Sequence, residues 1–208
     1  MIKRIFGFYR LPMYIPIHPF DGFYNMKFQK EGTIKLAFLN FVLLCVSLAF
    51  SAQYASIIVS MPNPLTMNSI NDLITISSAL LLFCVANWSV STLTDGEGKF
   101  KEIFMAICYA MTPMILTIIP ATLLSNLLAA EEIGFYYLVL GVGSFYFVFL
   151  AFIGLVTVHG YGAVKSLVTI ILTAVAILVI VFLITLLFTM WQQLTVFVHS
   201  VYTELMFR

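Results

Sequence analysis

The charged residues of this chain are so few and so unevenly placed that they divide it into five long uncharged stretches. These run from Leu36 to Asn71, Leu73 to Thr94, Ile103 to Ala130, Ile133 to Val164 and Ser166 to Thr203. Each exceeds the roughly 20 residues that an α-helix, rising about 1.5 Å per residue, needs to cross about 30 Å of hydrocarbon. A chain that is 62% hydrophobic and 9% charged has too little polar surface to cover a water-soluble fold. The pattern predicts five spanning helices near residues 34–60, 71–93, 102–127, 134–158 and 165–191. The alternating strands of about ten residues that a membrane barrel needs are absent, and backbone in lipid must satisfy its own hydrogen bonds. The fold class is an all-α integral membrane protein.

Lysine and arginine in short loops are retained on the cytoplasmic side. With the N terminus cytoplasmic, Lys3, Arg4, Arg10, Lys27, Lys30, Lys35, Lys99, Lys101 and Lys165, nine of the ten basic residues, fall on that side and only Arg208 lies outside. The outer loops hold Asp72, Glu131 and Glu132 and no base, and an odd number of spans puts the C terminus outside. So few bases do not form a nucleic-acid surface. Cys45, Cys84 and Cys108 fall inside spans without a CxxC pair and read as buried small hydrophobes. No cofactor and no metal is expected.

The chain divides into a cytoplasmic or interfacial segment (1–33), a five-helix transmembrane domain (34–191) and an outer-side amphipathic tail (192–208). Pro12, Pro16 and Pro19 exclude one continuous helix in the first segment. Ile2, Ile5, Phe6 and Tyr9 share one side of a short turn on the inner leaflet, and the stretch "HPFDGFYNMKFQKEG" reads as a flat interfacial collar of aromatics and lysines. No apolar core of a cleavable signal follows "MIKRIFGFYR", so the first span is itself the expected insertion signal. In the tail, Leu194, Phe197, Val198, Val201 and Leu205 recur at helical spacing with Gln193, His199, Ser200 and Glu204 off that stripe. An amphipathic helix on the outer leaflet, or one docked on the outer part of a larger complex, fits that pattern.

Against this apolar background "TLTDGEGKFKEIF" gathers five charges and two glycines between the second and third spans. Asp95, Gly96, Glu97 and Gly98 suit a tight turn, because glycine tolerates positive φ and Asp bonds to nearby backbone. Lys99, Phe100, Lys101 and Glu102 then start the next helix. A plain hairpin needs no such charges. Together with His18, Pro19, Asp21, Gly22, Phe23 and Tyr24 of "HPFDGFY" and with Gly160, Tyr161 and Gly162 of "HGYG", the turn predicts one composite cytoplasmic face that binds a partner, since functional contacts concentrate on loops.

Catalysis is not expected. No histidine pair has HExxH spacing, Tyr136 stands where a protease motif beginning at Glu131 and Glu132 would need arginine, and no Ser or Cys carries a nearby base. Pro113 and Pro120 are expected to kink the third span, and Gly141 and Gly143 to loosen the fourth. Broken helices serve many transporters, yet no charged residue lies deep in any span. Asn40, Gln53, Asn87 and Asn126 are expected to form interhelical hydrogen bonds worth about 0.6 to 2 kcal/mol each.

The run "NWSVSTLTDGEGKFKEIFMAICYAMTP", preceded by "HPFDGFYNMKFQKEG" and followed by "HGYG", resembles the YIP family of five-span membrane proteins, and more closely its short bacterial members. The resemblance implies a five-helix bundle with a cytosolic N terminus. Bacterial members similar to this chain accompany sugar ABC importers, which implies the bacterial plasma membrane and ABC importer permeases as candidate partners beside membrane lipids. Eukaryotic relatives act in vesicle trafficking with small GTPases through a longer N-terminal region bearing a DLYGP-type motif. This chain carries neither, so a small GTPase is not an expected partner. The function that follows is a non-catalytic accessory, scaffolding or regulatory subunit of another membrane complex. An autonomous small-molecule or ion transporter or channel, and a membrane-organising trafficking-type factor, are the alternatives.

Overall fold

A computed structural model describes residues 10–59 and 69–207. Two short helices, α1 (Arg10–Ile17) and α2 (Pro19–Lys27), precede α3 (Ile34–Tyr54), α4 (Ser69–Leu93), α5 (Phe100–Ala110), α6 (Thr112–Ser125), a 3₁₀ turn (Ala130–Glu132), α7 (Ile133–His159) and α8 (Ala163–Met206). No strand occurs among the described residues. Five helical segments are long and apolar enough to cross a membrane: Ile34–Tyr54, Ile70–Leu93, Phe100–Ser125, Ala130–His159 and Ala163–Met206. Each falls on one of the five expected spans, but the first helix stops at Tyr54 and the last runs on to Met206. The expected turn of Ile2, Ile5, Phe6 and Tyr9 lies outside the described residues, as does the end of the expected first span at Ser60.

The third span is the axis of the bundle. In its most apolar window 61% of residues are buried, against 39% or less in every other span. Its apolar positions Ile103, Met105, Ala106, Ile107 and Cys108 are covered on all sides, with α3 and α7 packed against them. The span is broken at Met111, between α5 and α6. Pro113, in the first turn of α6, has no N–H for the carbonyl four residues back, and the ring crowds the preceding turn. Side chains pair the backbone at the break. The Thr112 hydroxyl donates to the Tyr109 carbonyl at 2.8 Å, and Asn40 Nδ2 of α3 donates to the Cys108 carbonyl at 2.6 Å and to Thr112 Oγ1 at 3.1 Å. Pro120 lies inside α6 with the helix continuing around it.

Other polar groups join the span ends. The Tyr109 hydroxyl donates to the Thr33 carbonyl at 2.9 Å, and Asn126 Nδ2 donates to the Tyr54 carbonyl at 2.9 Å. Gly141 faces open space, but a Cβ at Gly143 would collide with the Thr117 side chain, so the second glycine is a point of close approach between α6 and α7.

The N-terminal segment is not a flat collar across the end of the bundle. α1 and α2 fold against each other at His18, tightly enough that a Cβ on Gly22 would meet Ile15 Cγ1 at 2.7 Å; α2 packs along the flank of α7, and α1 packs against α5 and α6. Phe23 is fully buried, its ring so close to Gly154 that a Cβ there would meet it at 3.0 Å. The Tyr146 hydroxyl donates to the Pro16 carbonyl. Tyr146 stands 13 residues before the end of α7, which is about 20 Å of helix rise.

α8 runs without interruption for 44 residues, about 66 Å, through the point near residue 192 where the sequence reading separates span from tail. Its buried residues are Ser166, Thr169 and Thr173, all near its start.

Replacing Asn40 by leucine keeps the volume but removes the short amide bond to the Cys108 carbonyl and leaves it only the Met111 N–H at 3.3 Å. Stability in mixed detergent micelles, measured by SDS titration, is expected to fall by about 1–3 kcal/mol.

Candidate partner-binding face

Chain order brings the second-to-third turn and the fourth-to-fifth turn to the same end of the bundle, and the structure locks one onto the other. α7 ends at Gly160, whose φ of 68° is the left-handed conformation that lets the chain reverse, with the Tyr161 N–H donating to the Val156 carbonyl at 3.3 Å. The reversal stacks the Tyr161 ring on His159, with centroids 5.3 Å apart, and Lys165 Nζ sits 4.3 Å above the Tyr161 ring on its own helix. Tyr161 Oη and Thr94 Oγ1 are 2.7 Å apart, which ties this loop to the end of α4.

The 95–98 turn closes over the two rings. The sequence reading puts positive φ on glycine there, whereas the residue with positive φ in this turn is Asp95, at 55°. Gly96 and Gly98 serve close approach instead. A Cβ on Gly98 would lie 2.5 Å from His159 Nδ1 and 2.8 Å from Val158, and one on Gly96 would strike the Tyr161 hydroxyl. The Gly96 N–H donates to the Ser91 carbonyl at 2.8 Å, and the Glu97 N–H donates to the His159 carbonyl at 3.4 Å. Lys99 then opens α5, its N–H donating to the Glu102 carboxylate at 3.2 Å.

Beneath the turn a hydrogen-bond chain fixes the imidazole. The Thr173 hydroxyl donates to the Thr169 carbonyl at 2.7 Å, so Thr173 Oγ1 accepts from Asn87 Nδ2 at 3.1 Å. Asn87 Oδ1 therefore faces His159 Nε2 at 2.8 Å and accepts a hydrogen bond from its N–H. The network puts a hydrogen on His159 Nε2, and its Nδ1, buried under Gly98, has no hydrogen-bond partner. Thr173, Asn87 and His159 are each 2% exposed or less.

The expected site residues divide by accessibility. Asp95, Glu97, Lys99, Phe100, Lys101, Gly160 and Gly162 are exposed on this end, while Gly98 and Tyr161 are buried and Gly96 is partly so. His18, Asp21 and Tyr24 are exposed along α1–α2, Pro19 is half-buried, and Gly22 and Phe23 are interior. Of the three expected segments, the two turns form one surface. The first is joined to them by Lys27, whose Nζ lies 3.0 Å from Glu97 Oε2 with its own side chain 9% exposed. The carboxylate is 70% exposed, so the pair contributes about 0–1 kcal/mol and acts mainly to orient Glu97.

Lys27, His159, Asn87 and Thr173 were absent from the expected set. The signal that could have found them is the position of Asn87 two turns before the DGEG run. A strongly polar side chain in an apolar span demands a partner, and "HGYG" is the polar end nearest to it. Among the described residues no three His, Cys, Asp or Glu side chains converge in a way that could hold a metal ion.

Fold and site together define a multi-pass helical membrane protein whose two turns at one end are locked into a single polar surface. Residues 13–186 match the Yip1 domain family, and the chain belongs to it. Comparison with curated proteins and with solved structures gives no match.

Gly98→Ala places a methyl group on His159 Nδ1, and the turn must lift to admit it. Amide hydrogen exchange at residues 95–98 is expected to rise at least tenfold, with a loss of stability of about 1–3 kcal/mol. Unchanged exchange would remove the close-approach role of Gly98.

Proposed function

We propose that this protein is a non-catalytic accessory subunit that binds another membrane protein through the face built by Asp95, Glu97, Lys99, Phe100, Lys101, Gly160 and Gly162. The loop end faces the cytosol, as the positive-inside bias of its lysines favours, and the C terminus lies on the outer side. The membrane is a bacterial plasma membrane. ABC importer permeases are the candidate partners, on the strength of the sequence resemblance to short bacterial members. His18, Asp21 and Tyr24 flank the face along α1–α2 and extend the contact beside it.

The observation that carries the reading is the rigidity of the turn. Its backbone is held from below by His159, Tyr161 and Ser91, so four charged side chains stand on a surface that loses little freedom when a partner binds. Polar side chains spent on such a pedestal are hard to account for in a plain hairpin. The paired break in the third span favours this reading over autonomous transport. A transporter exposes broken backbone to its substrate. Here Asn40 and Thr112 already occupy the carbonyls of Cys108 and Tyr109, in the interior.

The test is purification of the tagged protein from its native membrane in mild detergent, with mass spectrometry of what remains bound. Importer permease subunits are expected in stoichiometric amount, and the double variant Asp95→Ala/Glu97→Ala is expected to retain at least tenfold less while inserting normally. Undiminished association in the variant would remove the contact surface. Uptake by the protein alone in proteoliposomes would overturn the accessory role.

A further inference from the structure

Between Arg10 and Lys27 the chain runs in beside the spans and returns. Three contacts fix its course along α7, in order. The Pro16 carbonyl accepts from the Tyr146 hydroxyl, Phe23 lies against Gly154, and Lys27 pairs with Glu97, whose N–H donates to the His159 carbonyl at the end of α7. α2 therefore runs beside the second half of α7 toward the loop end. α1 runs the opposite way, because the chain reverses at His18 and Ile15 faces Gly22. Arg10 lies five residues before Ile15 and Lys27 five after Gly22, which puts the two bases at one level. The first span starts from that side as well, with Thr33 just before it held by the Tyr109 hydroxyl.

Helix rise gives the depth of the reversal. Tyr146 is the central residue of Ile133–His159, thirteen from either end, so it stands near the middle of a bilayer that this span crosses. α1 also packs against α6, which begins at Thr112, twelve residues or about 18 Å past the start of the third span at Phe100. Backbone at that level has no bulk water to bond to, and the turn is built accordingly. The His18 N–H donates to the Tyr14 carbonyl at 2.9 Å and the Gly22 N–H to the His18 carbonyl at 2.8 Å, while Pro16 and Pro19 have no N–H to pair. The Tyr14 ring covers one face of the His18 imidazole, with centroids 4.6 Å apart. Outward from the turn stand Met13, Ile17 and Phe20, which are 45%, 74% and 67% exposed.

We propose that α1–α2 is a re-entrant hairpin immersed in the leaflet on the loop side, with Met13, Ile17 and Phe20 as its contact surface for lipid acyl chains near the bilayer centre. That leaflet is the cytoplasmic one in the orientation proposed above. Sixteen residues separate Arg10 from Lys27, too few for a spanning helix and enough for two short helices that each reach about 12 Å. A flat interfacial segment would instead keep all three apolar side chains at headgroup depth. Arg10 and Lys27 close the hairpin at the headgroups, where cations gain from anionic lipid. Asp21 is the one charge between them, six residues and about 9 Å of rise before Lys27. With Tyr24 it lies nearer the loop end than the turn does, on the part of α2 that flanks the partner-binding face.

The proposal does not depend on the accessory role and is tested on the full chain in liposomes. A fluorophore is attached at Ile17→Cys, or at Lys30→Cys beyond the hairpin, against the background of three buried native cysteines. At Ile17→Cys, quenching by a nitroxide near the end of the acyl chain is expected to be at least twofold stronger than by a headgroup nitroxide, and at Lys30→Cys the order is expected to reverse. Stronger headgroup quenching at Ile17→Cys, or quenching there by iodide present on both sides of the membrane, would overturn the depth of the hairpin. Because the label could pull the turn out of place, a second measurement replaces Phe20, already aromatic and exposed, by the photoreactive p-benzoylphenylalanine. Adducts mapped by mass spectrometry are expected on lipid, in the distal half of the acyl chains. Adducts on headgroup or glycerol atoms, or on another protein, would sink the proposal.

Discussion

A polar group inside the hydrocarbon has no water to turn to, and the rest of this structure depends on how the chain answers that constraint. Each unpaired backbone or amide group there costs several kcal/mol. Two asparagines carry much of the answer. Asn40 occupies the carbonyl at the break in the third span, and Asn87 joins α4 to both α7 and α8. Apolar contacts in lipid gain little from association alone, because lipid tails are as apolar as leucine. The directional bonds therefore help to select which faces of the helices meet, and close packing at small residues such as Gly143 and Gly154 completes the fit.

The same constraint connects the interior to the surface. Asn87 and Thr173 orient the His159 imidazole, the imidazole and Tyr161 support the 95–98 turn, and the turn displays Asp95 and Glu97. Among the described residues two buried side-chain atoms are left without a hydrogen-bond partner, Ser166 Oγ and, under the 95–98 turn, the Nδ1 of His159. An unmade buried hydrogen bond costs about 1–3 kcal/mol, and such a cost is typical of a site held for a reason other than stability. Here the cost accompanies a turn seated so closely that Gly98 admits no side chain.

The N-terminal segment shows how the bundle uses residues that sequence patterns assign to the membrane surface. Phe23 reads as an interfacial aromatic, yet it is fully buried, as is Ile15 of α1. Gly154 and Gly22 make that packing open to them, since each removes the side chain that would hold α2 away from α7 or α1. Distant glycines of this kind have no local signature. The partnership of Lys27 with Glu97 across 70 residues was hidden for the same reason.

By itself the sequence determined the class of protein, the number of spans and where the polar turns fall. Uncharged length against bilayer thickness is a local property, and so is the run of charges at 95–102. The interhelical roles of Asn40, Asn87 and Asn126 were also legible, because an amide in an apolar span must find a partner, although Gln53 stays exposed. Tertiary structure alone decided which partners they found, that Gly96 and Gly98 serve close approach rather than backbone curvature, and that α8 continues past the bundle as one helix. Those outcomes depend on the distances between segments far apart in the chain. Hydrophobic periodicity fixes the face of a helix, but it does not identify the helix that will meet it.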